Sequence, residues 1–275
     1  LETTVEELLA QLAHEMQRKY YGKYRGFVVD VSDPEKRGRV RVSVPSVLGE
    51  EEMAWALPCV PYGGGADYGL FAVPPVGSQV WVEFEEGELF QPIWSGTFWQ
   101  KKGDPPQEAT AGEEPTACVL KTPGKHLLVL EDETDKEKLR LVHPKGTEIA
   151  IDEKGILSLT DSGGAKVTLD PDGGTLSIED ANGNSIQMTS SGTTVEDANG
   201  NKIEMAAAGV TVEATKIVLK GNSVMLAGEG GEPILKGQSF LQLFMTHMHP
   251  TAMGPSGPPI PQGEMSTLST KVLTS

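Results

Sequence analysis

The chain has 275 residues, 39 acidic against 23 basic side chains, and a formal net charge of -16 at pH 7. That balance works against partners that present phosphate, whether nucleic acid or an anionic membrane surface, because such partners are held by clustered Lys and Arg. An apolar content of 38% with 6% aromatic residues suits an ordered, β-rich protein with room for one large or two modest domains.

In chain order, residues 3–20 read as a helix: Thr3 and Glu6 have capping-box spacing, and Val5, Leu8, Leu9, Leu12 and Met16 share one face. That stripe needs a partner, either the chain's own domain or a neighbouring protein. No segment approaches 18 consecutive apolar residues and no basic start precedes an apolar core, so neither a membrane span nor a signal peptide is expected, and synthesis in the cytoplasm is. Cys59 and Cys118 show no metal-type spacing and read as two reduced, partly buried thiols.

Residues 24–100 carry strand patterns separated by Gly/Pro turns: Gly26 to Val31, Gly38 to Val44, Gln79 to Phe84 and Pro92 to Phe98, with turns at Asp33-Pro34-Glu35 and Glu85-Glu86-Gly87. Four or five strands in this length suggest a five-stranded OB-fold barrel. Its hairpin ends carry Glu50, Glu51, Glu52, Glu83, Glu85, Glu86 and Glu88, which would repel a phosphate backbone. Trp55, Trp81, Trp94 and Trp99 are expected in its core or a subunit interface. A polar linker (101–117) and entry strands (118–146) follow.

From 147 to 238 the apolar residues come in alternating pairs: Ile149/Ile151, Val167/Leu169, Leu176/Ile178, Ile186/Met188, Ile203/Met205, Val210/Val212, Ile217/Leu219 and Val224/Leu226. Between them a turn recurs almost literally, Glu179-Asp-Ala-Asn-Gly-Asn184 and Glu196-Asp-Ala-Asn-Gly-Asn201, 17 residues on. Strands this short cannot bury their apolar face as one flat sheet, so the period argues for a solenoid or for several chains wound into one prism. The Asp-Ala-Asn-Gly-Asn turns fit neither an EF-hand loop nor a glycine-rich calcium repeat, and Asn-Gly is expected in type I′ corners. The final segment, 239–275, holds His247-Met-His249, then five prolines between Pro250 and Pro261, and its only charges are Glu264 and Lys271. His14, His126 and His143 stand singly, without a triad arrangement.

The residues Gly26 to Val31, Asp33-Pro34, Gly38-Arg-Val-Arg-Val42, Pro45, Trp55, Pro74-Pro-Val-Gly77, Val80, Val82, Glu83-Phe84, Gly87, Pro92 and Gly96 resemble the barrel of the baseplate central spike family. That family includes phage baseplate assembly protein V, the spikes of contractile bacteriocins and the spike part of type VI valine-glycine repeat proteins. Leu120-Lys-Thr-Pro-Gly124 and Leu141 to Ile149 look like the family's entry into a trimeric β-helix. The resemblance implies an all-β homotrimer: a short N-terminal helix (1–23), an OB-fold barrel, and an intertwined triple-stranded β-helix.

It also implies a non-enzymatic spike that caps the tail tube of a phage or phage-like contractile injection system and punctures the target envelope. Its partners would be a separate hub protein, for which residues 1–23 are a candidate dock, the tail tube, a tip-sharpening protein and the target outer membrane, with no specific nucleic acid. His247 and His249 resemble the His-x-His of phage spike tips that hold iron: in an extended strand both imidazoles face one way, and three chains would offer six nitrogens to one transition metal. The alternative reading is a single-chain β-solenoid enzyme or glycan-binding protein with an OB-type module. The strict six-residue repeat of acyltransferase solenoids is missing.

Overall fold

A computed structural model of the chain describes residues 4–17, 19–49, 51–222 and 237–260. It has two compact units, Leu1–Glu213 and Ala214–Ser275.

In the first unit, α1 spans Val5–Gln17. Its cap lies one residue later than expected: the Thr4 hydroxyl accepts the Glu7 amide at 3.3 Å, and the Glu7 carboxylate accepts the Thr4 amide at 3.0 Å. Consecutive threonines make either register plausible in sequence; Thr4 and Glu7 close a reciprocal box, and Thr3 lies outside the described residues. Val5, Leu8 and Leu9 are exposed on it.

Strands β1 (Tyr24–Asp30), β2 (Val40–Ser43), β3 (Glu52–Pro58), β4 (Gln79–Phe84) and β5 (Pro92–Thr97) close into a barrel of order β1-β2-β3-β5-β4, with a short helix α2 (Pro45–Leu48) after β2. Its core holds Val28, Val40, Val42, Val44, Val80, Val82, Phe84 and Trp94, each worth roughly 1.5–3 kcal/mol if fully buried. Residues read as separate motifs meet here. The Asp33 carboxylate accepts the amides of Glu35, Arg37 and Arg39 and the Arg39 guanidinium at 3.0 and 2.7 Å, while Trp94 Nε1 donates to the Gly38 carbonyl at 3.2 Å. The Asp-Pro turn and the Gly-Arg-Val strand are thus one clamp. Trp94 is buried, Trp99 is exposed, and Trp55 lies under both Arg39 and Arg41 on the barrel's outer surface.

Strands β6 (Ala117–Lys121), β7 (Leu127–Glu131), β8 (Lys138–Val142), β9 (Glu148–Ile151), β10 (Leu157–Thr160), β11 (Lys166–Asp170), β12 (Thr175–Glu179), β13 (Ser185–Thr189), β14 (Gly192–Glu196), β15 (Lys202–Ala206) and β16 (Gly209–Glu213) form one antiparallel sheet in strictly sequential order. Within one chain this is neither a solenoid coil nor an intertwined β-helix; it is a single-layer meander. At about 4.8 Å per strand the sheet is about 48 Å long and, with five-residue strands, about 16 Å wide. Gly192 makes one hairpin possible, since a Cβ there would lie 2.1 Å from the Met205 carbonyl oxygen.

The strand pattern expected at Ile217/Leu219 is not realised: residues 214–222 contain no strand. An isolated apolar pair without a flanking corner turn does not extend the ladder. Val224/Leu226 and residues beyond 260 lie outside the described residues. The second unit has a helix, α3 (Gly237–Thr246), and a minimal hairpin, β17 (Pro250–Thr251) with β18 (Gly254–Pro255). No described helix is long and apolar enough to cross a membrane.

Candidate assembly face

Directly opposed residues of an antiparallel sheet point to the same face, so the register shows which side chains share a surface. One row runs Cys118–Leu130–Leu139–Ile151–Leu157–Leu169–Leu176–Met188–Thr193–Met205–Val210. Two residues along each strand, on the same face, runs Leu120–Leu128–Leu141–Ile149–Leu159–Val167–Ile178–Ile186–Val195–Ile203–Val212. Apart from Cys118 and Thr193 every position is aliphatic or Met. The row between them, on the other face, is polar from Ser158 onward: Ser158, Thr168, Ser177, Gln187, Thr194, Glu204.

No residue of β9 to β16 is buried. Leu159, Leu169, Ile178, Met188 and Ile203 each keep about two-fifths of their surface open, at 42, 44, 41, 43 and 42%. A continuous apolar face of this length, uncovered, has no core of its own, and faces of this kind mark interaction surfaces. Leu127 and Val129, on the opposite face near the barrel, are the exception: they are buried at the level where the 3₁₀ turn Gln107–Ala109 packs on β6 and Lys121 pairs with Glu108 at 2.7 Å. Cys118 lies in the apolar row and, like Cys59, is an exposed free thiol rather than a partly buried one; among the described residues nothing covers that face.

The turns alternate between the two edges, so turns 161–165, 180–184 and 197–201 share an edge, and the 17-residue interval is one full return to it. In each, the leading Asp accepts two backbone amides, as Asp180 does from Asn182 at 2.8 Å and Asn184 at 2.9 Å. The corners are not type I′. Only the glycine, Gly183 (φ 91°) or Gly200 (φ 81°), takes a positive φ, while Asn182 and Asn199 do not. This is a three-residue loop closed by a left-handed glycine, and the Asn side chains serve instead as donors to the Asp. These bonds hold the Asp180 and Asp197 carboxyls below the usual range, the Asn184 and Asn201 side chains contributing most. His143 takes the Asp position in its own turn, accepting the Lys145 amide on Nδ1 at 3.2 Å.

His126 and His143, single in sequence, come together at the ends of β7 and β8 with ring centroids 5.0 Å apart. Sequence reading missed this pair; the signal that would have found it is the hairpin register that makes 127 and 142 partners. In the second unit, His247 and His249 are also brought together, centroids 5.0 Å apart and rings near perpendicular at 84°. They do not lie in an extended strand as expected. α3 ends at Thr246 and the two residues form its exit, because the Gly237–Thr246 segment is an unbroken helix-forming run ahead of Pro250. His247 Nδ1 faces the Phe244 carbonyl, which can only accept, so a hydrogen bond there is donated by Nδ1–H and turns Nε2 outward. Among the described residues no three His, Cys, Asp or Glu side chains converge within one chain.

Residues 24–99, the barrel, match the family described as the type VI secretion system/phage-baseplate injector OB domain. Over 117 residues the chain is 33% identical to the actin cross-linking toxin VgrG1 of Vibrio cholerae serotype O1, classical Ogawa strain O395, an alignment covering 39% of this chain and 10% of that protein. The chain thus spans about a tenth of the length of this curated relative. A solved structure of the G-box domain of the microcephaly protein CPAP aligns over 70% of this chain and 99% of that one, at 12% identity and a TM-score of 0.28, too slight a likeness to bear on fold or function. Barrel, motif clamp and sequence match agree on residues 24–99: this segment is similar to the injector OB domain of the type VI secretion and phage-baseplate family.

Proposed function

We propose that this chain is a non-enzymatic, trimeric central spike that caps the tail tube of a contractile injection system and pierces the target envelope. The observation that carries the reading is the one-sided sheet: an injector OB domain is followed by eleven strands whose apolar rows are uncovered in a single chain. Three such sheets, apolar faces inward, make a closed prism about 48 Å long with polar Ser/Thr/Gln rows outside and Asp/Asn/Gly turns at the corners. A rod built this way transmits axial force without a catalytic group. The exposed apolar stripe of α1 is the proposed dock for a hub protein, with the tail tube and a tip-sharpening protein as further partners. The place of action is the baseplate of the assembled particle.

His247 and His249 are the proposed metal ligands. Two imidazoles that share an ion at 2.0–2.1 Å have centroids roughly 4.5–5 Å apart, which the observed 5.0 Å fits, and the Phe244 carbonyl orients His247 with Nε2 outward. Two donors per chain complete a site only when three chains meet. Six imidazole nitrogens suit an octahedral transition metal such as iron, one per trimer, whose service would be to brace the structure.

Electron cryomicroscopy of the purified chain tests the architecture. A three-fold rod with three sheets around an apolar axis is expected; two sheets packed face to face, or a lone sheet, would refute it.

A further inference from the structure

Because turns alternate between edges, each level of the sheet presents different chemistry on its two sides. In the β7–β8 pair, Leu127 opposes Val142 toward one edge and Glu131 opposes Lys138 toward the other. Beyond Leu127 and Val142 lie His126 and His143, flanked in their turns by Lys125 and Lys145. Beyond Glu131 and Lys138 lies the turn Asp132-Glu-Thr-Asp-Lys-Glu137, in which Glu133 is paired with Lys136. Among the described residues, Lys125 and Lys145 have no ion-pair partner, and neither do Asp132, Asp135 and Glu137.

One edge is therefore basic and the other acidic at the same level of the same sheet. The width of a strand, about 16 Å, keeps the two apart within a chain. They are complementary between two copies set side by side and running in the same direction. Lower turns do not repeat the arrangement: on the basic edge 161–165, 180–184 and 197–201 carry Asp but no Lys, and on the opposite edge the charges thin from Asp152-Glu153-Lys154 and Asp172 to Ser190-Ser191 and Ala207-Ala208. The basic turns belong only to the strands that follow the barrel in sequence. A contact between two different edges is heterologous and closes into a ring when its rotation closes.

We infer that the His126/His143 edge of one copy, with Lys125 and Lys145, docks against the 132–137 turn of the next copy, so that the level beside the barrel sets the direction and order in which copies associate. The inference rests on the trimeric reading and says which edges meet. Two sheets packed in opposite directions would lose the carboxylates of Asp132, Asp135 and Glu137 and meet single aspartates such as Asp180 and Asp197, which are already engaged by the amides of their own turns. Charges at the rim of an apolar interface act mainly on association rate, through long-range attraction that salt screens.

The test is assembly of the full chain after dilution from denaturant, followed by native mass spectrometry at low and high salt, with far-UV circular dichroism to check folding. Lys125→Glu with Lys145→Glu, and separately Asp132→Lys with Asp135→Lys, should each slow assembly on the order of tenfold at low salt. Combining all four should return the rate close to that of the natural chain, and high salt should erase the differences. Should the reversed chains misfold, Lys125→Gln with Lys145→Gln should slow assembly by a smaller factor. A natural chain that forms trimers at a rate insensitive to these changes, or a fourfold variant slower than either pair, overturns the docking. A natural chain that stays single overturns the trimer and the docking together.

Discussion

The side-chain carbonyl of Asn184 accepts the backbone amide of Ala198 at 3.1 Å, tying one corner turn to the next on the same edge of the sheet. The same Asn donates through Nδ2 to Asp180 at 2.6 Å, so a single side chain closes its own turn and anchors its neighbour. Asn201 makes the second of these contacts, to Asp197 at 2.7 Å, and among the described residues not the first. Asn184→Ala should therefore cost more than Asn201→Ala, by about 1 kcal/mol, the net worth of one hydrogen bond. Chemical denaturation checks the difference, and only Asn184→Ala should speed hydrogen exchange at the Ala198 amide.

Adjacent residues of one strand give the cleanest contrast between the faces. Ile178 lies in an apolar row and Ser177 in the polar row behind it. Ile178→Glu should abolish assembly, because burying an unpaired carboxylate costs several kcal/mol and the cost is paid once per copy. Ser177→Glu should leave assembly unchanged. Sedimentation of both variants decides it; equal effects would mean that the two faces are not distinguished.

Acid should remove stability from the barrel clamp and the corner turns. Asp33, Asp180 and Asp197 all have carboxyls held below their ordinary value: Asp33 chiefly by the Arg39 guanidinium, the other two chiefly by the Asn184 and Asn201 side chains. A depressed carboxylate contributes stability that is fully present above its unfolded value, about 3.9, falls progressively below it, and is gone once pH has passed the lower folded value. Denaturation followed by circular dichroism should show stability falling steadily as pH drops below about 4. Asp180→Asn should flatten that acid transition, since the amide keeps an acceptor for the turn and does not titrate.

The histidine pair predicts a stoichiometry. Elemental analysis should find about one transition-metal ion per three chains, and His247→Ala with His249→Ala should remove it while assembly persists, because apolar burial along the sheet outweighs one structural ion. Unchanged metal content in the double variant would show that the ligands lie elsewhere.

Much of this was legible in the sequence, for identifiable reasons. β1, β2, β4 and β5 of the barrel announce themselves by alternation; β3 does not. A register shift between Arg41 and Ser43 places its buried residues at Met53 and Ala56, three apart, so period-two reading passes over it. The needle pairs from Ile149/Ile151 to Val210/Val212 do line one face, but periodicity is blind to which strands neighbour one another, and so to the His126–His143 contact. Asn-Gly named the corners correctly and their geometry wrongly, because a leading Asp with two amides to bind favours a type I turn ending in one left-handed glycine over two positive-φ residues. His247-Met-His249 stood out as a motif, yet the helix before it could not be read from i, i+2 spacing.

The central claim is that no single copy has a core along β9 to β16, and mass in solution addresses it most directly. The single chain is 29.4 kDa, and native mass spectrometry at low concentration should find a stable species three times that mass. A monodisperse single chain would contradict the account, for its apolar rows would then stand in water with nothing to cover them.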